Sequence, residues 1–329
     1  MIEYKALRVV QKADGNFVKT IAKLNTDDLP KGELLVRVSY SSLNYKDALS
    51  ASGNRGVSKN FPHTPGIDAA GIVEKSSVKD INVGNEVIIT GYDLGMNTPG
   101  GFGQYISVPA SWVIPKPENL SLRESMIIGT AGLTAGLCVD KLLLMGLRPG
   151  HKVVVSGASG GVGSFAIALL HKLGCKVVAS TGSPQQEEFL SSLGANEVIE
   201  RAILASPSDK PFLKDQWNAG IDTAGGHTLA NIIKGLKHGG SVAAVGLVES
   251  AEIPVSIFPF LLRGVNLLGI DSVEIPHAKR LPVWKLLSDS WKLDNLEELA
   301  TEINLTQTPD YLELLLKGKT TGRILVSHA

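Results

Sequence analysis

The run SGASGGVG, from Ser156 to Gly163, sets Gly157, Gly160, Gly161 and Gly163 between an apolar strand-like segment and an apolar helix-like one. Glycine is required where a chain turns sharply, approaches a ligand with its backbone and packs a helix tightly on a strand. Amide N–H groups and the positive end of the helix dipole then face a pyrophosphate. In a strand–turn–helix setting this pattern points to dinucleotide binding rather than to a purely structural turn. The next strand-like run, KVVASTGS (Lys176–Ser183), ends in hydroxyls where an Asp or Glu would grip the adenosine ribose. A carboxylate there favours NAD and repels the extra phosphate of NADP. Ser180, Thr181 and Ser183, with Arg201 as a cation from a neighbouring loop, therefore favour NADP(H). The competing reading is that these hydroxyls cap the following helix.

Metal chemistry has weaker support. Catalytic zinc takes three protein ligands from Cys, His or Asp/Glu. The seven histidines (His63, His151, His171, His227, His238, His277 and His328) are scattered, and Cys138 and Cys175 stand far apart. No His-x-x-x-His or Cys-x-x-Cys pair occurs. His171 reads as a packed or boundary residue on an apolar helix, and His63 as a loop residue. No metal is expected. Hydride transfer to a double bond already activated by conjugation needs no Lewis acid.

The elements that must position these groups fall into two textures. KALRVV, ELLVRVSYSSL, DAAGIVEKS and NEVIIT are short β-branched runs separated by turn residues, which suits a barrel or sandwich. Ser121 and Glu124 then form a capping-box pattern ahead of an apolar helical run. From Lys152 strands and helices alternate: KVVVSGA, VGSFAIALLHKLG, KVVAS, QQEEFLSSLG, EVIE, GIDTAG, TLANIIKGLKHG as a helix, and SVAAVGL. That alternation predicts a doubly wound parallel sheet. Helices around VWKLLSDSW and PDYLELLLKGK precede a last strand, RILVS.

Composition narrows the class further. The chain has 329 residues, a length suited to two domains. It carries 32 basic and 32 acidic residues, so a nucleic-acid partner, which wants a basic excess, is disfavoured. Two cysteines give no disulfide framework. The N-terminus meets charge early, and the apolar stretch MIIGTAGLTAGLCV stops at Asp140, short of the ~20 residues a bilayer requires. A cytoplasmic protein with no membrane partner is expected.

Taken together, SSLNYKDALSASG, FPHTPGIDAAG, GNEVIITG, MIIGTAGLTA, SGASGGVG, ASTGS, GIDT, GGSVAAVGL, PFLLRGVNLLGIDSV and GRILV resemble the medium-chain dehydrogenase/reductase superfamily. The likeness is to its zinc-free quinone-oxidoreductase type, and within that to the YhdH/YhfP branch of acrylyl-CoA reductases. It runs over essentially the whole chain. It implies an α/β protein: a GroES-like β-barrel catalytic domain at 1–125, a Rossmann NADP-binding domain at 126–265, and a segment at 266–329 returning to the catalytic domain. Zinc members carry a Cys near Asn44 and a His-Glu pair where this chain has Ile67 and Asp68. The resemblance assigns cofactor contacts to Tyr45, Thr130, Ser159, Gly160, Gly161, Val162, Thr181, Gly182, Ser183, Arg201, Leu247, Leu261 and Ser272. Relatives often carry Arg at the position of Ser183, so the bidentate clamp on a phosphate is lost there.

The reaction the resemblance implies is NADPH-dependent reduction of acrylyl-CoA to propanoyl-CoA. Tyr45 and Asn44 are the catalytic candidates, for the developing enolate oxygen and the returning proton. For Tyr45 the competing reading is a packing aromatic. Arg55, Lys59, Arg263, Lys279 and Arg280 are the cations available to the phosphates of CoA. Quinone reduction on the same fold is the first alternative. An NADP(H)-binding structural or regulatory protein without turnover is the second. A homodimer is expected by analogy.

Overall fold

Strand β1 (Glu3–Gln11) alternates exposed and buried positions and pairs antiparallel with β2 (Phe17–Asn25). In chain order there follow β3 (Leu34–Ser42), α1 (Tyr45–Ala51), β4 (Asp68–Ser76), β5 (Glu86–Thr90), β6 (Tyr105–Val108), β7 (Val113–Pro115) and α2 (Leu122–Leu144). The alternating region comprises β8 (Lys152–Val155), α3 (Gly161–Lys172), β9 (Lys176–Thr181), α4 (Glu187–Ser192), β10 (Ala195–Glu200), α5 (Arg201–Ala205), β11 (Trp217–Asp222), α6 (Gly226–Gly235) and β12 (Leu236–Ala244). Last come α7 (Phe258–Arg263), β13 (Asn266–Gly269), α8 (His277–Ser288), β14 (Ala300–Asn304), α9 (Thr308–Leu316) and β15 (Arg323–Ser327). This computed structural model describes residues 1–328.

Two units divide the chain. The first joins Met1–Thr130 and Val273–Asp289 to the residues from Asp294 onward; the second holds Ala131–Ser272 with Ser290–Leu293. In the first, a seven-stranded sheet runs β14-β15-β3-β4-β5-β7, with β6 also paired to β3. Leu34, Val36 and Val38, two apart on β3, point one way and pack with Ala69, Val73 and Ile106. In the second, six parallel strands run β10-β9-β8-β11-β12-β13, the order of a doubly wound dinucleotide-binding sheet. Val153, Val154 and Val155 of β8 are fully buried, as a central parallel strand with both faces covered must be.

Two elements depart from the sequence expectation, and a third was not foreseen. LNYKD opens a helix: Asn44 caps α1, and the Asp47 carboxylate accepts from the Asn44 backbone N–H at 2.8 Å. The helix expected through Gly239 stops at Gly235, and Leu236–Gly239 already belong to β12. There the Arg263 guanidinium takes the carbonyls of Lys234 and Leu236, and Leu236 pairs with Trp217. Finally, α2 is longer than its apolar core suggested and by length and composition alone would reach across a bilayer. Most of it is buried within the protein, and it breaks at Gly129 (φ 48°, ψ −157°).

That break is imposed by crowding. A Cβ at Gly129 would lie 2.6–2.7 Å from Asp68 Oδ2, Arg323 Nη2 and Ser42 Oγ. Gly129→Ala is expected to cost about 2 kcal/mol or more, from positive φ and overpacking together. Urea unfolding of the variant against the parent protein checks this; an unchanged midpoint would mean the kink is not constrained by its neighbours.

Candidate active site

In the second unit, β8 leads into the glycine turn through Ser156. Its hydroxyl donates to Asp222 Oδ1 at 2.6 Å and accepts from the Thr223 N–H at 2.9 Å, tying the ends of β8 and β11 together. Burial holds the Asp222 carboxyl above the usual carboxylate range. A side chain at Gly163 would strike the Gly157 carbonyl at 2.4 Å, so the first turn of α3 packs directly on the turn below it. Gly160 is the N-cap of α3 and no side chain caps the helix. Ser159, Gly160, Gly161 and Val162 are half-buried, with the helix start open to a ligand.

Thr181, at the end of β9, is buried, accepts from the Ser183 N–H at 3.1 Å and lies 3.4 Å from Ser159 Oγ. Arg201 is the first residue of α5 rather than a loop residue. Its guanidinium arches over Gly182, where an added Cβ would lie 2.5 Å from it. Arg201 forms no ion pair among the described residues. The end of β9 thus presents hydroxyls and one unpaired guanidinium.

Leu247 follows β12, packs near Gly225 and is 67% exposed. Ser272 follows β13 and accepts from the Thr134 hydroxyl at 2.7 Å. The carboxyl edge of the sheet therefore gathers the glycine turn, Thr181, Gly182, Ser183, Arg201, Leu247 and Ser272. Leu261 lies on α7 and is 70% exposed. Sequence reading missed Glu249. Its carboxylate takes the His227 N–H at 2.7 Å, the Thr228 N–H at 3.3 Å and the Thr228 hydroxyl at 2.6 Å, closing the N-terminus of α6.

In the first unit, Tyr45 opens α1, is 41% exposed and forms no hydrogen bond among the described residues. Asn44 is committed inward. Its amide donates to Asp68 Oδ2 at 2.8 Å and to the Ser42 carbonyl at 3.2 Å, which uses both amide hydrogens. The expectation that Asn44 donates to a substrate oxygen is corrected accordingly. Thr130 also faces Asp68, giving its N–H at 2.9 Å and its hydroxyl at 2.5 Å. Asp68 accepts in addition from the Ser42 hydroxyl at 2.6 Å and lies 3.6 Å from Arg323 Nη2. Asp68 and Arg323 are both buried. Beside them Asp47 is fully buried and takes the N–H groups of Asn44, Gly66 and Ile67. Burial, and then the charge of Asp68, push its carboxyl up to about 7.

Other candidates resolve into structure. His63 is buried, not in an exposed loop, and its ring meets the Gly95 carbonyl. Arg280 is wholly buried, donating to Thr90 and Val273 and lying over the Tyr92 ring. Arg263 is spent on backbone carbonyls and Phe212. Neither is available to a substrate phosphate. Among the described residues no three His, Cys, Asp or Glu side chains are grouped to hold a metal.

Residues 30–118 match the alcohol dehydrogenase GroES-like domain and residues 161–289 the zinc-binding dehydrogenase domain. The chain is 43% identical to the acrylyl-CoA reductase AcuI of Ruegeria pomeroyi over 95% of each chain. It is 42% identical to the putative quinone oxidoreductase YhfP of Bacillus subtilis over 98% of each, a protein whose structure with NAD bound superposes with a TM-score of 0.96. The YhdH oxidoreductase of Salmonella enterica, solved with NADP, gives a TM-score of 0.95 at 41% identity, over 99% of this chain and 100% of that one. The zinc that the second domain's description implies does not fit here. The positions that would hold it offer an amide at Asn44, an alkyl chain at Ile67, and a carboxylate at Asp68 already taken by four donors and Arg323.

The Asp47 carboxyl has a pH signature. Its proton is held in the folded state up to about 7, and in the unfolded state only to the ordinary carboxylate value of about 4. The stability it contributes is therefore fully present below about 4 and lost as pH rises through 7. The parent protein's advantage over Asp47→Asn in urea unfolding should shrink from pH 5 to pH 8. An advantage that grows with pH would contradict the raised value.

Proposed function

The chain belongs to the medium-chain dehydrogenase/reductase superfamily, on its quinone-oxidoreductase and acrylyl-CoA-reductase side, and on that premise we propose that it uses NADPH to reduce acrylyl-CoA to propanoyl-CoA. The observation that carries this reading is the carboxyl edge of the second unit's sheet. An uncapped helix start at Gly160–Gly163 is joined there to the Arg201 guanidinium over Gly182, with no acid ending β9.

The backbone amides of Gly160, Gly161 and Val162 hold the pyrophosphate, helped by the positive end of α3. Thr181, Ser183 and Arg201 hold the 2′-phosphate; with Ser183 in place of an arginine, Arg201 is the charged part of that grip. Bound NADPH supplies a hydride for the β-carbon of the thioester. The chain's own task is the charge that develops on the thioester oxygen and the proton needed at the α-carbon. Tyr45 is the candidate for both, because its hydroxyl is uncommitted where the Asn44 amide is not. No metal is invoked: conjugation with the thioester already activates the double bond.

On this reading the reaction runs in the cytoplasm and in a homodimer. Supporting the dimer, β13 is a terminal strand of the sheet. Ile257, Phe258, Leu261, Leu262 and Leu267, on or beside α7 and β13, are 38–70% exposed. An unpaired edge with apolar neighbours is a template for a second chain. Quinone reduction is the second reading, favoured by the likeness to YhfP.

Four measurements test the proposal. NADPH oxidation is followed by absorbance with acrylyl-CoA and with quinones; turnover of quinones alone would replace the substrate. With acrylyl-CoA, kcat/KM should fall as ionic strength rises, because the CoA phosphates are screened. Arg201→Ala should raise the NADPH Kd by about tenfold or more while moving the NADH Kd by less than about twofold. An equal loss for both would remove Arg201 from the 2′-phosphate. Tyr45→Phe should lower kcat by about a hundredfold, and full turnover would take Tyr45 out of the chemistry.

A further inference from the structure

Asp68 draws together four segments of the first unit. Ser42 at the end of β3, Asn44 at the cap of α1 and Thr130 past the break in α2 all donate to it. Arg323 at the start of β15 supplies the opposing charge. The guanidinium is itself fully engaged. Its Nε donates to the Ile127 carbonyl at 3.0 Å, its Nη1 to the Leu43 carbonyl at 3.2 Å and to Asn44 Oδ1 at 3.4 Å, and its Nη2 to the Ser42 hydroxyl at 2.8 Å. Asn44 is thus held at its amide nitrogen by Asp68, at its amide oxygen by Arg323 and at its backbone N–H by Asp47. The next residue is Tyr45, whose hydroxyl has no hydrogen bond among the described residues.

A hydroxyl that must meet a substrate atom within a fraction of an ångström needs a fixed origin. A side chain 41% exposed and unbonded can take that origin only from its backbone. A core salt bridge needs no such three-point hold on the residue beside it, since a buried ion pair by itself contributes little net stability.

We propose that Asp68, charge-paired with Arg323, is a positioning residue for Tyr45: it locks Asn44 so that α1 begins in one conformation and presents the Tyr45 hydroxyl in one place. This rests on the reading that Tyr45 acts in the reduction. The Asp68–Asn44 contact is the link, and the carboxylate itself touches no substrate.

The test is a double-mutant cycle on kcat with NADPH and acrylyl-CoA, or with whichever substrate the panel identifies. Asp68→Asn should lower kcat roughly ten- to a hundredfold with KM and the NADPH Kd little changed. In the Tyr45→Phe background the same substitution should cost less than about twofold, because there is no hydroxyl left to misplace. An equal loss in both backgrounds, or none in the parent, overturns the proposal. Should Asp68→Asn fail to fold, Ser42→Ala serves. It removes one donor to Asp68 and one acceptor of Arg323, and is expected to show the same dependence on the Tyr45 hydroxyl at smaller size. Tyr45→Phe alone reports on the underlying reading: unchanged turnover there ends the role of Tyr45, whereas a large loss without coupling ends only the positioning claim.

Discussion

A carboxylate taken wholly out of water must be matched by donors and by opposite charge, and in the first unit that demand falls on Asp68. Four donors and one guanidinium answer it, from segments up to 281 residues apart in sequence. The consequences spread outward. Residue 129 must be glycine, α2 must break, and the chain must return after residue 272 so that β15 can deliver Arg323 beside β3. Removing either partner would strand a charge in a medium that solvates it poorly, a far larger loss than the pair's net worth.

The second unit is organised by the opposite condition, an electrostatic demand left unmet. Among the described residues the start of α3 has amides without a capping side chain, and Arg201 has no acid partner. Both conditions cost little while the groups face water, and on the proposed reading both are answered by one molecule carrying a pyrophosphate and a third phosphate. One unit closes its charges internally and fixes geometry. The other leaves charges open and binds.

Much of this could be read from the residues. Four closely spaced glycines after a valine run announce the turn because few other roles need them, and the missing acid after β9 is itself information. Local signals served where local physics decides. They failed where distant contacts decide. Nothing near Asn44 says that its amide will be consumed by a residue 24 positions away and its carbonyl oxygen by one 279 away. The helix at Tyr45 was hidden by a strand-like apolar lead-in, although Asn44 and Asp47 carry a capping spacing. His63 read as a loop residue, whereas its backbone pairs with Val9 and the residue is buried. The end of α6 could not be placed without knowing that Arg263 claims its last carbonyls.

The carboxylate of Glu249 on α6 breaks a near-symmetry of the second unit. Two helices, α3 and α6, begin at the same edge of the sheet after glycine-bearing turns, and either dipole would attract phosphate. Because α6 is satisfied by its own chain, of these two helix starts only that of α3 is left to a phosphate. Glu249 thus steers an anion toward the glycine turn by closing the other door.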